Sequence, residues 1–397
     1  MSIYLDYSAT TPPRPEVIAK MEEILRNMWG NPSSLHRWGQ RAATVLETAR
    51  MQVASLLNTP HPDSIIFTSG GTEADNLAII GIARRYPTPE HIIISSVEHS
   101  AVAEPAKLLE QWGWQITRLP VNSQGRVNPL DLQAALRPNT VLVSVIYGQS
   151  EVGTLQPIDK LAAIARSHGV LFHTDAVQVA GRLPLDLQQL PVDLLSLSSH
   201  KMYGPQGAGA LYVVPGVELV PLLAGGGQEK GLRSGTQAVG AIAGFGLAAE
   251  LAVGEMETEA VRLTQLRDRL FDLLSHCPHL IPTGDRTHRL PHHVSFCIAE
   301  GGEESGGEGI KEKLKEEQQD DQSLLSLLCQ TGTISGNELV RKLNRAGIGI
   351  SAGSACNSGK LMPSPILLAM GYSEAEALTG IRLTLGRDSS FSSLNLL

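Results

Sequence analysis

The sequence predicts an α/β protein in which a large, doubly wound, mostly parallel sheet domain carries a smaller α+β domain at its C-terminal end. Three observations point there. Short runs rich in Val, Ile and Leu recur along the first 215 residues, amphipathic stretches long enough for crossover helices separate them, and the pattern changes after a glycine-rich segment at 225–235. With 397 residues, 42% of them apolar, the chain can bury a large core.

Strands are expected at 64–67, 91–96, 140–147, 170–175, 194–198 and 209–214, with helices at 40–57, 72–85, 101–112 and 158–168. A long helical pattern from 238 to 275, interrupted near Gly254, leads into the second unit. That unit has strand candidates at 293–298 and 349–351 and a helix at 336–346. The large domain is therefore expected over 16–250 and the small one over 1–15 and 251–397. Residues 301–321, GGEESGGEGIKEKLKEEQQDD, have no aromatic side chain and read as a disordered insertion.

The net charge is −8, and nine acids against three lysines place most of it in and beside the insertion, so direct nucleic-acid binding is not expected. No run of about 18 uncharged apolar residues points to a membrane. Cys277, Cys297, Cys329 and Cys356 show neither CxxC spacing nor a disulfide framework and read as free thiols. The start, MSIYLDYSATTPPRPE, has no signal-peptide or presequence pattern, so the expected location is cytoplasmic.

Four strand ends and one loop carry candidate chemistry. In SSHKMYGPQGAG, Lys201 ends an apolar strand beside a glycine turn, where a desolvated amine could hold an aldehyde. In HTDAVQ, Asp175 closes another strand and would suit a protonated pyridine nitrogen. SVEHSAV places Glu98 and His99 at a third, where a histidine can lie against a ring or shuttle a proton. TSGGTEADN turns from strand to helix through two glycines, offering backbone N–H groups and the Thr72 hydroxyl to an anion. ISAGSACNSG exposes Cys356 on a loop of small residues, the context of a reactive thiol, whereas Cys297 in VSFCIAE has a core context. Singly, each has a plainer explanation as a surface lysine, a helix cap, a structural histidine or an ordinary glycine turn.

Together and in order, YLDYSATTP, GNPSSLHRWG, FTSGGTEADNLA, VEHSAV, EVGTLQP, HTDAVQ, SSHKMYGPQGAG, GGGQEKGLRSGT, SAGSACNSG and IRLTLGR resemble the NifS/IscS-type cysteine desulfurases, which are class V aminotransferase-family, fold-type I pyridoxal-phosphate enzymes. The resemblance implies that Lys201 carries pyridoxal 5'-phosphate, Asp175 pairs with its ring nitrogen, Gln178 and Ser150 contact it, and His99 stacks on it. It further implies that Gly71, Thr72, Ser198 and His200 hold the phosphate, with Thr236 reaching across a homodimer. Arg382 would grip the carboxylate of L-cysteine, and Cys356 would take its sulfur as a persulfide for iron-sulfur cluster assembly and tRNA thiolation, through transient contact with a scaffold or other acceptor protein. Three features depart from the family pattern: Gln149-Ser150 where Asn-Asn is usual, the insertion, and the ending GRDSSFSSLNLL. The alternatives are a selenocysteine or cysteine sulfinate lyase, or a non-catalytic dimeric scaffold-binding homologue.

Overall fold

The computed structural model describes residues 2–277, 279–299, 334–353 and 362–392. The expected insertion at 301–321, Cys329 and Cys356 lie outside them. Strand β1 (Ile3–Tyr4) belongs to the small domain. The large sheet comprises β2 (Ile65–Thr68), β3 (His91–Ser95), β4 (Gln115–Leu119), β5 (Thr140–Ser144), β6 (Leu171–Asp175), β7 (Leu194–Ser198) and β8 (Gly209–Val213), in the order β2-β8-β7-β6-β5-β3-β4. All neighbours are parallel except β8, which is antiparallel to β2 and β7.

Both faces of this sheet are covered, and the alternation of side chains shows how. Ile65, Phe67, Ile93, Val143, Phe172 and Leu195 point into a core shared with α1 (Pro15–Asn27), α2 (Arg37–Leu56) and part of a long later helix. Ile66, Ile92, Ile94, Leu142 and Leu194 point to the opposite face, against α3 (Gly71–Ala83) and α4 (Ser100–Gln111). A strand buried on both faces must be apolar at every position, which is why these strands read as continuous runs rather than alternating ones. Edge strand β4 is half exposed, lacks that run and was not foreseen.

The long helix, Val239–Leu274, runs 36 residues without the expected break at Gly254, whose missing side chain faces open space. By length and composition it could cross a membrane. Its apolar residues instead serve two cores: Ile242, Phe245 and Ala249 join the large one, while Leu263, Leu266, Leu270 and Phe271 join a second core with Leu5, Val294, Phe296 and Leu383. That second core backs the four-stranded antiparallel sheet β12-β13-β10-β9, made from β9 (Leu280–Pro282), β10 (His293–Ile298), β12 (Ser351–Ala352) and β13 (Ile381–Thr384). β11 (Ile348–Gly349) pairs in parallel with β1, so the chain starts in the small domain and then crosses to the large one.

Candidate active site

The crossing segment passes over the carboxyl ends of β6 and β7, where a doubly wound sheet offers its crevice. Lys201 follows β7 in a short 3-10 turn, and its Nζ donates to the carbonyl oxygens of Ser8 at 2.6 Å and Ala9 at 2.8 Å. Gln178 Nε2 reaches the same Ser8 carbonyl at 2.9 Å. His200 Nδ1 lies 3.1 Å from Thr10 Oγ1, and burial, followed by the Lys201 charge, lowers its pKa to about 4, so the ring is neutral. Tyr203 then takes φ 64, an uncommon backbone state held by the hydrogen bond its N–H donates to Thr11 Oγ1. The segment YLDYSATTP thus acts as the seat of the lysine, a task not legible from its own residues.

Asp175 ends β6 buried, and its Oδ1 accepts the Val177 N–H at 2.9 Å. Burial raises its pKa, against the pull of His99 and Lys201, which both stand close enough to stabilise its charge. His99 caps α4: its Nδ1 accepts the Ala101 N–H at 3.1 Å, which leaves Nε2 as the ring nitrogen able to donate. Asp75, His99 and Asp175 bring one polar side-chain atom each within 4.8 Å of one another. Asp75 on α3 and Glu98 before α4 were given no role from the sequence; α3 carries two acids, of which Glu73 pairs with Arg233 and Asp75 is buried among small and apolar residues. Two ionised carboxylates at that separation would repel by about 3 kcal/mol at an effective dielectric of ~20. Burial accordingly pushes Asp75 well above the usual carboxylate range, with Asp175 adding to it. Burial also lifts Glu98 to about 8, despite hydrogen bonds from Ser95 Oγ at 2.5 Å and the Ile146 N–H at 2.8 Å.

Gly71 opens α3 directly beside Ser198. A side chain at Gly71 would come within 2.8 Å of Val177 and 3.4 Å of the Ser198 Cβ, and one at Gly209 would meet the backbone of Gly70 at 2.6 Å. The glycines keep the helix N-terminus, with Thr72 exposed in its first turn, open to an anion beside the ends of β7 and β8.

Arg382 stands on β13, paired across the sheet with Ser295 and Ser351. Its Nη1 donates to the Ser150 carbonyl at 3.0 Å and its Nη2 to Asp6 Oδ1 at 2.7 Å, while Nε is buried with no partner. Ser150 is thus engaged through its backbone by Arg382 and His293. The neighbouring Gln149 side chain accepts the N–H groups of Glu151 and Val152, which shapes that turn. Thr236 is exposed and is not brought to the other residues. Cys297 is buried in β10 with its thiol pushed by burial to about 12, as its core context predicted. Cys277, by contrast, is disulfide-bonded rather than free.

The donor set fits a phosphorylated pyridine aldehyde: a lysine for the aldehyde, a buried carboxylate for a ring nitrogen, a flanking imidazole, and a helix N-terminus with neutral hydroxyl and imidazole donors for the phosphate. The model of the "Aminotransferase class-V" family matches residues 3–313. A protein of Dictyoglomus turgidum named cysteine desulfurase IscS is 41% identical over 395 residues, covering 99% of this chain and 92% of its own. Among solved structures, one titled NifS-like protein superposes with a TM-score of 0.86 at 32% identity, covering 100% of this chain and 96% of that one. Another, SspA in complex with cysteine, has a TM-score of 0.78 at 31% identity, with coverage of 97% and 99%.

Proposed function

The chain belongs to the class-V aminotransferase family, and we propose that within it this protein is a pyridoxal-phosphate-dependent cysteine desulfurase that converts L-cysteine to L-alanine. The observation that carries this reading is the convergence of Lys201, Asp175 and His99 at the ends of parallel strands. Names of relatives at about 40% identity over nearly the whole chain support cysteine as the substrate.

Bound pyridoxal phosphate supplies an electron-withdrawing ring that weakens the Cα–H bond of an attached amino acid. The chain's residues supply the rest. Asp175 would favour a proton on the ring nitrogen, and Gly71, Thr72, Ser198 and His200 would hold the phosphate. Arg382 aligns the substrate carboxylate, for which a planar guanidinium is suited. Lys201, once released from Ser8 and Ala9, takes the Cα proton. The Cys356 thiolate attacks the substrate sulfur: a new S–S bond forms, the substrate's Cβ–S bond breaks with its electron pair left on carbon, and protonation yields alanine.

The persulfide would then pass to a scaffold or another acceptor protein for iron-sulfur assembly and tRNA thiolation, in the cytoplasm. A homodimer with composite sites is part of the proposal. Trp29, Leu35 and Trp38, 69%, 92% and 41% exposed in the isolated protomer, offer it an apolar surface near GNPSSLHRWG, and the exposed Thr236 is available to a partner.

Single-turnover assays with L-cysteine test the reading. Stoichiometric alanine and a persulfide mapped to Cys356 are expected. Cys356→Ser should keep the cofactor but accumulate no persulfide, and a persulfide on Cys297 or Cys329 would show that the wrong thiol has been assigned.

A further inference from the structure

Behind Asp175 a line of polar groups runs through the sheet with no role in the reaction just described. Ser144 Oγ lies 2.8 Å from His173 Nδ1, His173 Nε2 lies 3.0 Å from Ser196 Oγ, and Ser196 bonds the Asp75 carboxyl. Burial lowers the His173 pKa to about 3, so its ring is neutral. With the ring proton on Nε2, the donors align in one direction: Ser144 to His173, His173 to Ser196, Ser196 to Asp75.

Asp75 is 1% exposed, and its Oδ1 has no hydrogen-bond partner. Among the described residues, the one basic group in ion-pair range is the neutral His173 at 3.6 Å. Its other charged neighbours are acids, Asp175 and Glu98. The two positive or polarising groups that face the cluster, His99 and Lys201, act on Asp175. A buried carboxylate without a cation, beside a second carboxylate, is unstable unless it takes a proton.

We propose that Asp75 is a positioning residue, kept a neutral carboxylic acid by its burial beside Asp175 and Glu98 and fixed in place by the Ser144–His173–Ser196 line, so that the negative charge of the buried acids is confined to Asp175 and available to the ring nitrogen. The proposal rests on the pyridoxal-phosphate reading of the site. It makes the protonated state of that nitrogen depend on a residue outside hydrogen-bonding roles in the chemistry itself. An amide can replace a neutral acid here, because it fills the same volume and still donates. A methyl group cannot.

The test uses holoenzyme reconstituted with pyridoxal phosphate labelled with 15N in the ring, read by NMR at neutral pH together with cofactor dissociation. The native protein and Asp75→Asn should both show a protonated ring nitrogen, with dissociation rates within about twofold. Asp75→Ala should shift the signal toward the unprotonated form and release the cofactor about tenfold faster, and Asp175→Asn should show the full shift. Loss of the protonated signal in Asp75→Asn, or a native signal and release rate in Asp75→Ala, would overturn the proposal. If Asp75→Ala does not fold, the infrared difference between native protein and Asp75→Asn decides: a carboxylic-acid C=O band present in the native protein and absent from the variant is expected, and its absence from the native protein overturns the proposal. An unprotonated nitrogen in the native holoenzyme would overturn the reading of Asp175 as well, which separates that failure from one confined to Asp75.

Discussion

Arg382 Nη2 lies 2.7 Å from Asp6 Oδ1, a contact that ties strand β13 of the small domain to the segment on which Lys201 rests. With Nη1 on the Ser150 carbonyl, the guanidinium is fixed in plane and keeps one buried N–H unspent. A lysine ammonium cannot serve these directions and a substrate carboxylate together. Arg382→Lys should therefore raise the KM for L-cysteine about tenfold or more (~1.4 kcal/mol) while the absorbance of bound cofactor is unchanged. Steady-state kinetics beside a spectrum check this, and an unchanged KM would remove Arg382 from substrate binding.

Lys201→Ala should abolish turnover, because no other described amine stands at the end of β7 to bind the aldehyde and take the Cα proton. Borohydride reduction of the native protein followed by peptide mapping should find the cofactor on Lys201. Label on another lysine would refute the assignment.

Glu98 makes stability depend on pH with a definite sign. Its carboxyl rises from an ordinary 4.5 to about 8 through burial, so the folded protein binds a proton that the unfolded chain releases. The resulting stability is complete below about 4.5 and is lost as pH rises through about 8. His173, lowered to about 3 by burial, acts only below its ordinary 6.5 and with the opposite slope, so above 6.5 the slope comes from raised carboxyls, Asp75 with Glu98, and the Glu98→Gln variant separates the share of Glu98. Urea midpoints of the native protein should fall between pH 6.5 and 8, and Glu98→Gln should flatten that fall. A parallel slope in the variant would mean that Glu98 is ionised throughout.

Arg50 and Glu229 form a pair at 2.9 Å whose side chains are 8% and 1% exposed. Glu229 also accepts the Phe67 N–H, so the pair joins α2 to the strand leading into the phosphate turn. Arg50→Met should cost about 3–5 kcal/mol, as expected for a buried charge left unpaired. Denaturant unfolding measures it, and a loss below about 1 kcal/mol would show that water or another cation compensates Glu229.

The buried strands were legible because burial on both faces forces continuous apolar runs: 194–198 is β7 to the residue, and 293–298 is β10. Edge strand β4, with one half-exposed face, had no such signature. The run at 140–147 outlasts its strand by three residues, because Val145 and Ile146 are buried below the site after the ladder has ended. Gly254 looked like a break because glycine is a poor helix former, but the packing of Leu263–Leu274 on one side and Ile242–Ala249 on the other holds the helix through it.

From its own residues the chain determines the layered α/β architecture and the strand ends on which Lys201, Asp175 and His99 sit, since both follow from local patterns of apolar run and turn. Only the tertiary structure decides that Ser8 and Ala9 seat the lysine, that Asp6 holds Arg382, and that Asp75 and Glu98 crowd Asp175. Those contacts join residues separated by tens to hundreds of positions, and a buried charge is governed by what surrounds it in space, which no spacing along the chain records.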